Sequence, residues 1–258
     1  MYLLDYHMHS LYSSDGKSAI SELCSKAAAS GLKEIAVTDH FEPSLGNERY
    51  PYYRPEDYFQ DMQRAESVFG GELKIKRGVE MGQPHRYPKY SSRLIEAHPY
   101  DYVLASVHRM DDNRDFGEIT YCGENLAGYC GRYLMELRAL AQWNEFDCMA
   151  HLDLVKRYAS VYGLKVDFMD YRERLEDILR TVIENGKGIE VNTSGLRQAA
   201  GECLPGIGIV SLYRQLGGEI ITVGSDAHTA GDVGKGIKEA LEIVKTAGFD
   251  YVTVFTDR

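Results

Sequence analysis

Several features that would indicate a membrane or secreted protein are missing from this sequence. No stretch approaches the roughly 18 consecutive apolar residues that a membrane-spanning helix needs. The N-terminal segment MYLLDYHMHS has neither the basic start nor the apolar run of a secretory signal. The five cysteines are scattered and form no CxxC pair, which argues against a disulfide framework or a thiolate zinc site. These absences predict a protein of the reducing cytoplasm with no membrane partner.

Basic residues are also few. The chain has 29 lysines and arginines against 39 aspartates and glutamates, so its formal net charge is −10 at pH 7. A chain of this sign lacks the basic face with which proteins hold nucleic acid, and it has no basic and aromatic strip for a single strand. We therefore expect no nucleic-acid partner. A small anionic substrate is still compatible, because a local site can oppose the overall charge.

The apolar residues form short runs that alternate with longer amphipathic segments. Eight runs, several of them rich in Val and Ile, predict buried parallel strands at 3–7, 34–39, 73–80, 102–108, 147–151, 188–193, 220–226 and 251–255. Helical patterns lie between them at 19–30, 55–69, 125–144, 168–185, 209–216 and 233–247. This repeated order predicts an α/β fold, a (β/α) barrel that forms a single domain over residues 1–258. A doubly wound open sheet is the alternative.

Six of the eight histidines fall at the ends of predicted strands. His7 and His9 close the first strand, and residues two apart in a strand point to the same side. The later strand ends carry, in chain order, His40, Glu80, His108, His151 and the pair Asp226 and His228. The C-terminal ends of barrel strands form the face where active sites assemble. His85 and His98 lie elsewhere and are expected to be solvent-facing or loop side chains.

A cluster of imidazoles and carboxylates at one end of a barrel needs a partner, because burying such groups unpaired carries a large desolvation cost. Divalent cations are the natural partner, since imidazole and carboxylate together suit Zn²⁺, Fe²⁺ or Mn²⁺. Any one of these residues alone is more often an ordinary polar group, and Asp in a strand-to-helix turn often caps a helix. The joint pattern nevertheless predicts a multinuclear site of two to three divalent metal ions, without distinguishing among the three metals.

The ordered motifs HxH, TDH, GxE, SxH, HxD and GSDxH resemble those of the polymerase-and-histidinol-phosphatase (PHP) superfamily of metal-dependent phosphoesterases. The resemblance runs from His7 to His228, nearly the whole chain. Within the superfamily, the segment NTSGLR at 192–197 and the closing GSDAH look like those of the monofunctional histidinol-phosphate phosphatases. Membership implies a distorted (β/α)7 TIM-like barrel, the PHP fold, that holds up to three metal ions.

The resemblance also implies a ligand set, carried over residue by residue. The ligands of the first ion would be His7, His9, Glu80 and Asp226. A second ion would share Glu80 with the first and would add His108 and His151. The ligands of the third ion would be Asp15, His40 and His228. Two further acids adjoin ligands and are expected to orient imidazoles, namely Asp39 and Asp153.

The implied activity is hydrolysis of a phosphomonoester by a metal-bridging hydroxide, since a bound metal lowers the pKa of water from 15.7 towards ~7. Formal charge favours phosphate chemistry, because three divalent ions with three carboxylates and one hydroxide leave two positive charges for a phosphate dianion to balance. Arg157 and Arg197 are predicted to bind this phosphate, because the planar guanidinium suits bidentate contact. The candidates for meeting or protonating the leaving alkoxide are Asp15, His40 and His228.

The favoured substrate, as the resemblance implies, is L-histidinol phosphate, an intermediate of histidine biosynthesis. Its ammonium and imidazole would suit acidic and aromatic residues that follow the ligand-bearing strands, namely Glu42, Asp111, Asp112, Asp115, Glu118, Tyr50, Tyr52 and Tyr53. The segment HRMDD at 108–112 departs from the family pattern, so the leaving group stays open. Two alternatives remain: a phosphatase of another small phosphomonoester or nucleotide, and a non-catalytic metal-binding accessory module. The sequence does not indicate an oligomeric state.

Overall fold

The computed structural model describes residues 2–44 and 50–258. Its strands are β1 Leu4–Asp5, β2 Glu34–Val37, β3 His40–Phe41, β4 Lys74–Gly82, β5 Tyr102–Ser106, β6 Cys148–Met149, β7 Gly188–Asn192 and β8 Ile221–Gly224. Seven of the eight predicted strands are found, and all but one of these end before the predicted boundary. The backbone therefore leaves the regular ladder close to where most of the histidines lie.

The strands pair in the order β1-β2-β4-β5-β6-β7-β8, and every pair is parallel. The last strand returns to the first, because Tyr6 N donates to Val223 O at 2.9 Å and Asp226 N donates to His7 O at 2.8 Å. The sheet thus closes, which confirms the distorted (β/α)7 barrel and shows that the open sheet is wrong. The short β3 lies outside this order and pairs with the end of β4, so that His40 stands opposite Glu80.

Helices connect the strands and cover the outside of the barrel. They are α1 Ile20–Ala29, α2 Pro55–Phe69, α3 Pro88–Ala97, α4 Gly123–Trp143, α5 Val155–Ala159, α6 Arg172–Glu184, α7 Ile207–Gln215 and α8 Ile237–Thr246. In α6 the buried residues are Leu175, Ile178, Leu179 and Val182, the spacing of one apolar helix face. Within the described part of the chain, no helix is both long and apolar enough to cross a membrane.

Two helices were not predicted from the sequence. Only one side chain of α3, Ser91, is buried, and its apolar residues Tyr90, Leu94 and Ile95 are only partly buried against the core. The other, α5, has five residues, which is too short for periodicity to show. The predicted helix 168–185 begins with a 3-10 helix, Phe168–Tyr171, before α6 continues it.

The strand predicted at 251–255 is wrong. This segment forms no ladder and lies across the N-terminal end of the barrel, where Thr253 N donates to Ile221 O at 2.8 Å and Phe255 N donates to the Tyr6 hydroxyl at 3.1 Å. The ring of Phe255 is 5.0 Å from the ring of Tyr102 between centroids. The apolar pattern of 251–255 therefore reflects side chains that pack against the N-terminal end of the barrel, and not pairing in the sheet.

Candidate metal centre

Every residue of the predicted ligand set lies at the C-terminal end of the barrel. By element these are His7, His9 and Asp15 after β1, His40 in β3, Glu80 in β4, His108 after β5, His151 after β6, and Asp226 and His228 after β8. The backbone turns sharply at two of them, since His151 has a φ of 27° and Asp226 a φ of 55°. Non-glycine residues with positive φ are uncommon and cluster at functional sites.

The first group of donor atoms comes from His7, His9, Glu80 and Asp226. His7 Nε2 lies 3.1 Å from His9 Nε2, 3.3 Å from Glu80 Oε2 and 3.6 Å from Asp226 Oδ1. His9 Nε2 lies 3.5 Å from Glu80 Oε2 and 3.3 Å from Asp226 Oδ1. Four ligands at 2.0–2.1 Å from a tetrahedral ion are separated by about 3.3–3.4 Å. The donor set and its spacing therefore fit a divalent cation.

The second group shares Glu80 with the first. The other carboxylate oxygen of Glu80, Oε1, lies 3.2 Å from His108 Nε2 and 3.1 Å from His151 Nε2. The two imidazole nitrogens are 3.3 Å apart. These three atoms have the spacing of one face of a tetrahedron, which leaves a further position open, as in catalytic sites.

The third group is looser and closer to the surface. Asp15, a half-exposed carboxylate, has one oxygen 3.1 Å from His228 Nε2 and the other 3.8 Å from His40 Nε2. The rings of His40 and His228 both stack on His9, at 4.2 and 4.3 Å between centroids. The other ring nitrogen of His40 is 2.9 Å from Glu80 Oε2, so this histidine also adjoins the first two groups.

For three of the rings, hydrogen bonds on the far side fix which nitrogen faces the centre. His7 Nδ1 lies 2.6 Å from Glu190 Oε1, and His108 Nδ1 contacts a carboxylate oxygen of Glu42. His9 Nδ1 lies 3.2 Å from the Ser13 hydroxyl, which itself donates to Asp39 at 2.6 Å and must therefore accept from His9. With the proton held at Nδ1, the Nε2 lone pairs of these three histidines are free to bind a metal ion.

The electrostatics of this centre raise the pKa of some imidazoles and lower that of others, while keeping the carboxylates of Glu80 and Asp226 ionised. Burial alone would lower the pKa of His7, but the charges of Glu190, Glu80 and Asp226 raise this pKa well above 6.5. Burial and the neighbouring imidazoles lower the pKa of His9 well below 6.5. Burial would raise the pKa of Glu80, yet the surrounding imidazoles lower it well below 4.5. A cation that binds here would displace protons from imidazole, so its affinity depends on pH.

A cavity of about 340 Å³ opens over the three groups. Four of the predicted acidic and aromatic residues line it, namely Glu42, Asp115, Tyr50 and Tyr52. The others lie elsewhere. Asp111 and Asp112 pair with Arg132, the Tyr53 hydroxyl is buried against that of Tyr100, and Glu118 bonds to the backbone N–H of Asp115.

The two arginines predicted to bind phosphate are placed differently. Arg157 lines the cavity, where its Nη2 donates to Asp226 Oδ2 at 2.7 Å and to the Ser194 hydroxyl at 2.5 Å. Its buried Nε has no hydrogen-bond partner among the described residues. Arg197 is not among the residues that line the cavity within the described ranges, because its Nη2 turns back to donate to Ser225 O at 2.7 Å.

Neither of the two acids expected to orient imidazoles contacts an imidazole by hydrogen bond in the part of the chain described. Asp39 accepts from Ser10 and Ser13, and so acts on His9 only through Ser13. Asp153 instead binds Lys156, at 2.9 Å. Adjacency to a ligand in the sequence therefore did not predict a direct contact, and Ser13 instead bridges Asp39 and His9.

The two remaining histidines also differ from one another. His85 was expected to face solvent or lie in a loop, and this is wrong, since its side chain is buried in the 3-10 helix Pro84–Arg86 and lies 2.8 Å from Glu136 Oε2. His98 follows α3 and stacks on Phe59 with 5.4 Å between ring centroids. Neither of them adjoins the metal centre.

Sequence analysis missed Glu190 and Gln83. Glu190 is a buried acid within the apolar strand β7, and an acid in such a strand is a signal that it has a buried partner. Gln83 follows β4 with a φ of 49°, and its side-chain oxygen accepts from the backbone N–H of His108 at 2.6 Å and of Arg109 at 3.0 Å. Nothing in the sequence pattern marks this glutamine.

The sequence profile of the PHP domain family matches residues 5–194. This chain belongs to the PHP family. The predicted resemblance is thereby confirmed, and two relatives extend the similarity over 98% of this chain. The probable histidinol-phosphatase of Thermotoga maritima is 32% identical over 252 residues, which cover 98% of this chain and 95% of the relative. The histidinol-phosphatase of Lactococcus lactis is 31% identical over 255 residues, with coverage of 98% and 94%.

A solved structure extends the comparison to three dimensions. The crystal structure of histidinol phosphate phosphatase from Lactococcus lactis, complexed with zinc, L-histidinol and phosphate, has a TM-score of 0.85 to this PHP protein and 29% sequence identity. The match covers 99% of this chain and 97% of that chain. The two proteins therefore share their fold from end to end.

Proposed function

We propose that this PHP protein is a histidinol-phosphatase, a phosphoric monoester hydrolase that converts L-histidinol phosphate to L-histidinol and phosphate. One observation carries the proposal. Glu80 contributes one carboxylate oxygen to each of two adjoining groups of metal-ligand atoms with tetrahedral spacing. The end-to-end similarity to a histidinol phosphate phosphatase complexed with zinc, L-histidinol and phosphate supports the choice of substrate.

The residues that would hold the metal ions follow from the three groups of donor atoms. We assign the first ion to His7, His9, Glu80 and Asp226, the second to Glu80, His108 and His151, and the third to Asp15, His40 and His228. Bound divalent ions would supply Lewis acidity and lower the pKa of water towards ~7. Zinc, iron and manganese are all compatible with these ligands, and zinc is the ion named for the similar Lactococcus structure.

The chain's own side chains would bind and orient the phosphate. Arg157 has one guanidinium nitrogen on Asp226 and an unpartnered Nε within the described residues, so it can remain anchored while it donates to a phosphate oxygen. We propose Arg197 as a weaker contributor, because its guanidinium donates to the Ser225 carbonyl and is not among the described residues that line the cavity. Asp15, His40 and His228 form the outermost of the three groups and line the cavity, so the leaving alkoxide would meet them first.

The cavity supports a small cationic leaving group. Its volume of about 340 Å³ lies within the range of small-molecule sites. Glu42 and Asp115 offer negative charge, and Tyr50 and Tyr52 offer ring faces, which together suit an ammonium and an imidazole. A cytoplasmic location and the organisation of residues 1–258 as one domain both stay predictions.

Steady-state assays of the metal-loaded protein would test this function. We expect kcat/KM for L-histidinol phosphate to exceed that for a generic aryl phosphate and for nucleoside monophosphates. Equal values would favour the alternative, a phosphatase of another phosphomonoester. An inert protein with full metal content would instead support a non-catalytic accessory module.

A further inference from the structure

Glu190 is a buried carboxylate that the proposed ligand set does not use. Its side chain lies inside the barrel on β7 and is 1% exposed. One oxygen, Oε1, lies 2.6 Å from His7 Nδ1. The other, Oε2, accepts from the backbone N–H of His151 and from Asn192 Nδ2, both at 3.2 Å. Glu190 thus contacts one residue from each of the first two donor groups.

The hydrogen bonds continue from Glu190 to the arginine in the cavity. Asn192 Oδ1 accepts from the backbone N–H of Ser194 at 3.0 Å and from its hydroxyl at 2.6 Å. The same hydroxyl accepts from Arg157 Nη2 at 2.5 Å. The backbone N–H of Ser194 can only donate, so the amide of Asn192 must present its NH₂ to Glu190. Every bond in this series therefore donates towards Glu190, from Arg157 through Ser194 and Asn192.

We propose that Glu190 is a positioning residue that holds the proton of His7 at Nδ1 and so keeps the Nε2 lone pair available to the first metal ion. Through Asn192 and Ser194 it also sets the orientation of Arg157. This inference rests on the proposed function, because it concerns a metal ion and a phosphate at that site. It makes no use of Glu190 as a ligand or as a group that contacts the substrate.

The donors around Glu190 make the substitution Glu190→Gln informative. The Oε2 position faces two fixed donors, the His151 N–H and the Asn192 NH₂, so the glutamine carbonyl must take that side. The glutamine NH₂ then faces His7 Nδ1 and requires it to accept. His7 would carry its proton at Nε2, where no lone pair is left for a metal ion. A nearly isosteric change at a residue that is not itself a metal ligand should therefore remove His7 from the ligand set.

Glu34 offers a matched control. It is also 1% exposed on a barrel strand, and its two oxygens accept from the hydroxyls of Tyr2 and Tyr6 at the opposite end of the barrel. Glu34→Gln places the same buried amide in the same barrel without a histidine partner. It separates the effect on His7 from the general effect of replacing a buried carboxylate.

The experiment measures zinc binding and histidine tautomers in the zinc-loaded proteins. We expect Glu190→Gln to bind the first zinc at least about 10-fold more weakly than the wild type, with His7 in the Nε2–H form by ¹H–¹⁵N correlation spectra. Glu34→Gln should retain wild-type zinc affinity. Wild-type zinc affinity in Glu190→Gln with His7 still protonated at Nδ1, or an equal loss in Glu34→Gln, would overturn the inference. A wild-type protein that binds none of zinc, iron and manganese would contradict the proposed function itself.

A second variant tests the other end of the series without changing the bond between Glu190 and His7. Ser194→Ala removes the hydroxyl that holds Arg157, so inorganic phosphate should inhibit the zinc-loaded enzyme with a several-fold higher inhibition constant. Zinc stoichiometry should stay at the wild-type value. An unchanged inhibition constant would overturn the link to Arg157, even if Glu190→Gln failed to fold.

Discussion

Gly224, the last residue of β8, lets His7 and Glu190 approach each other across the strand. A Cβ atom at this position would lie 2.3 Å from the Cβ of His7 and 2.4 Å from Glu190 Oε1. Ordinary contact between such atoms begins at 3.4 Å, so Gly224→Ala requires a displacement of about 1 Å in one neighbour or the other. Neither can retreat freely, because the His7 carbonyl accepts from the Asp226 N–H just after β8 and Glu190 is buried.

We expect this displacement to affect activity more than stability. Overpacking of this kind costs about 1–3 kcal/mol of the free energy of unfolding, whereas a misplacement of 1 Å in a catalytic site can lower the rate by about 100-fold. Steady-state kinetics of the zinc-loaded variant, together with urea unfolding, would measure both. Gly128→Ala is the control, since Gly128 lies in α4 with nothing within 4 Å of an added Cβ. A Gly224→Ala enzyme with wild-type kcat/KM would refute the reasoning.

Three further predictions concern the ligands, the metal ions and pH. His151→Ala should lower kcat/KM by at least about 1,000-fold, as a lost ligand to a catalytic ion would, while circular dichroism stays that of the wild type; an active variant would contradict the assignment. Removal of metal with a chelator should abolish turnover and lower the melting temperature, and added zinc should restore both. Burial would raise the pKa of Glu136, but His85 and Arg86 lower it to about 2 from 4.5. The stabilisation that the ionised Glu136 contributes is therefore present above pH 4.5 and lost as the pH falls towards 2. In acid titrations followed by fluorescence, Glu136→Gln should lose less stability than the wild type. An equal loss would contradict this prediction.

The positions of the clustered histidines could be predicted because they depend on a repeated local pattern. A polar residue at the end of a strand can be recognised without knowing which strands are its neighbours. Parallel strands then bring all such ends to the same edge of the sheet. His7 and His151 are far apart in the chain, yet both follow strands and therefore meet. The closed barrel could be predicted for the same reason, from the regular alternation of strands and helices.

The partners of these histidines could not be predicted, because they depend on register and on side-chain direction. Glu190 reaches His7 only because β8 lies between β7 and β1 and carries a glycine at the point of contact. Arg197 shares a motif with Ser194, but its guanidinium turns to a backbone carbonyl. The segment 251–255 has the composition of a strand. Only the three-dimensional structure shows that it packs across the N-terminal end of the barrel, against Tyr6 and Tyr102, instead of pairing in the sheet.

Anomalous X-ray diffraction from crystals of the zinc-loaded protein would test the central claim most directly. We predict one zinc ion within bonding distance of His7, His9, Glu80 and Asp226, and a second that shares Glu80 and contacts His108 and His151. Anomalous peaks away from the three groups of donor atoms, or none at this end of the barrel at full zinc loading, would contradict the account.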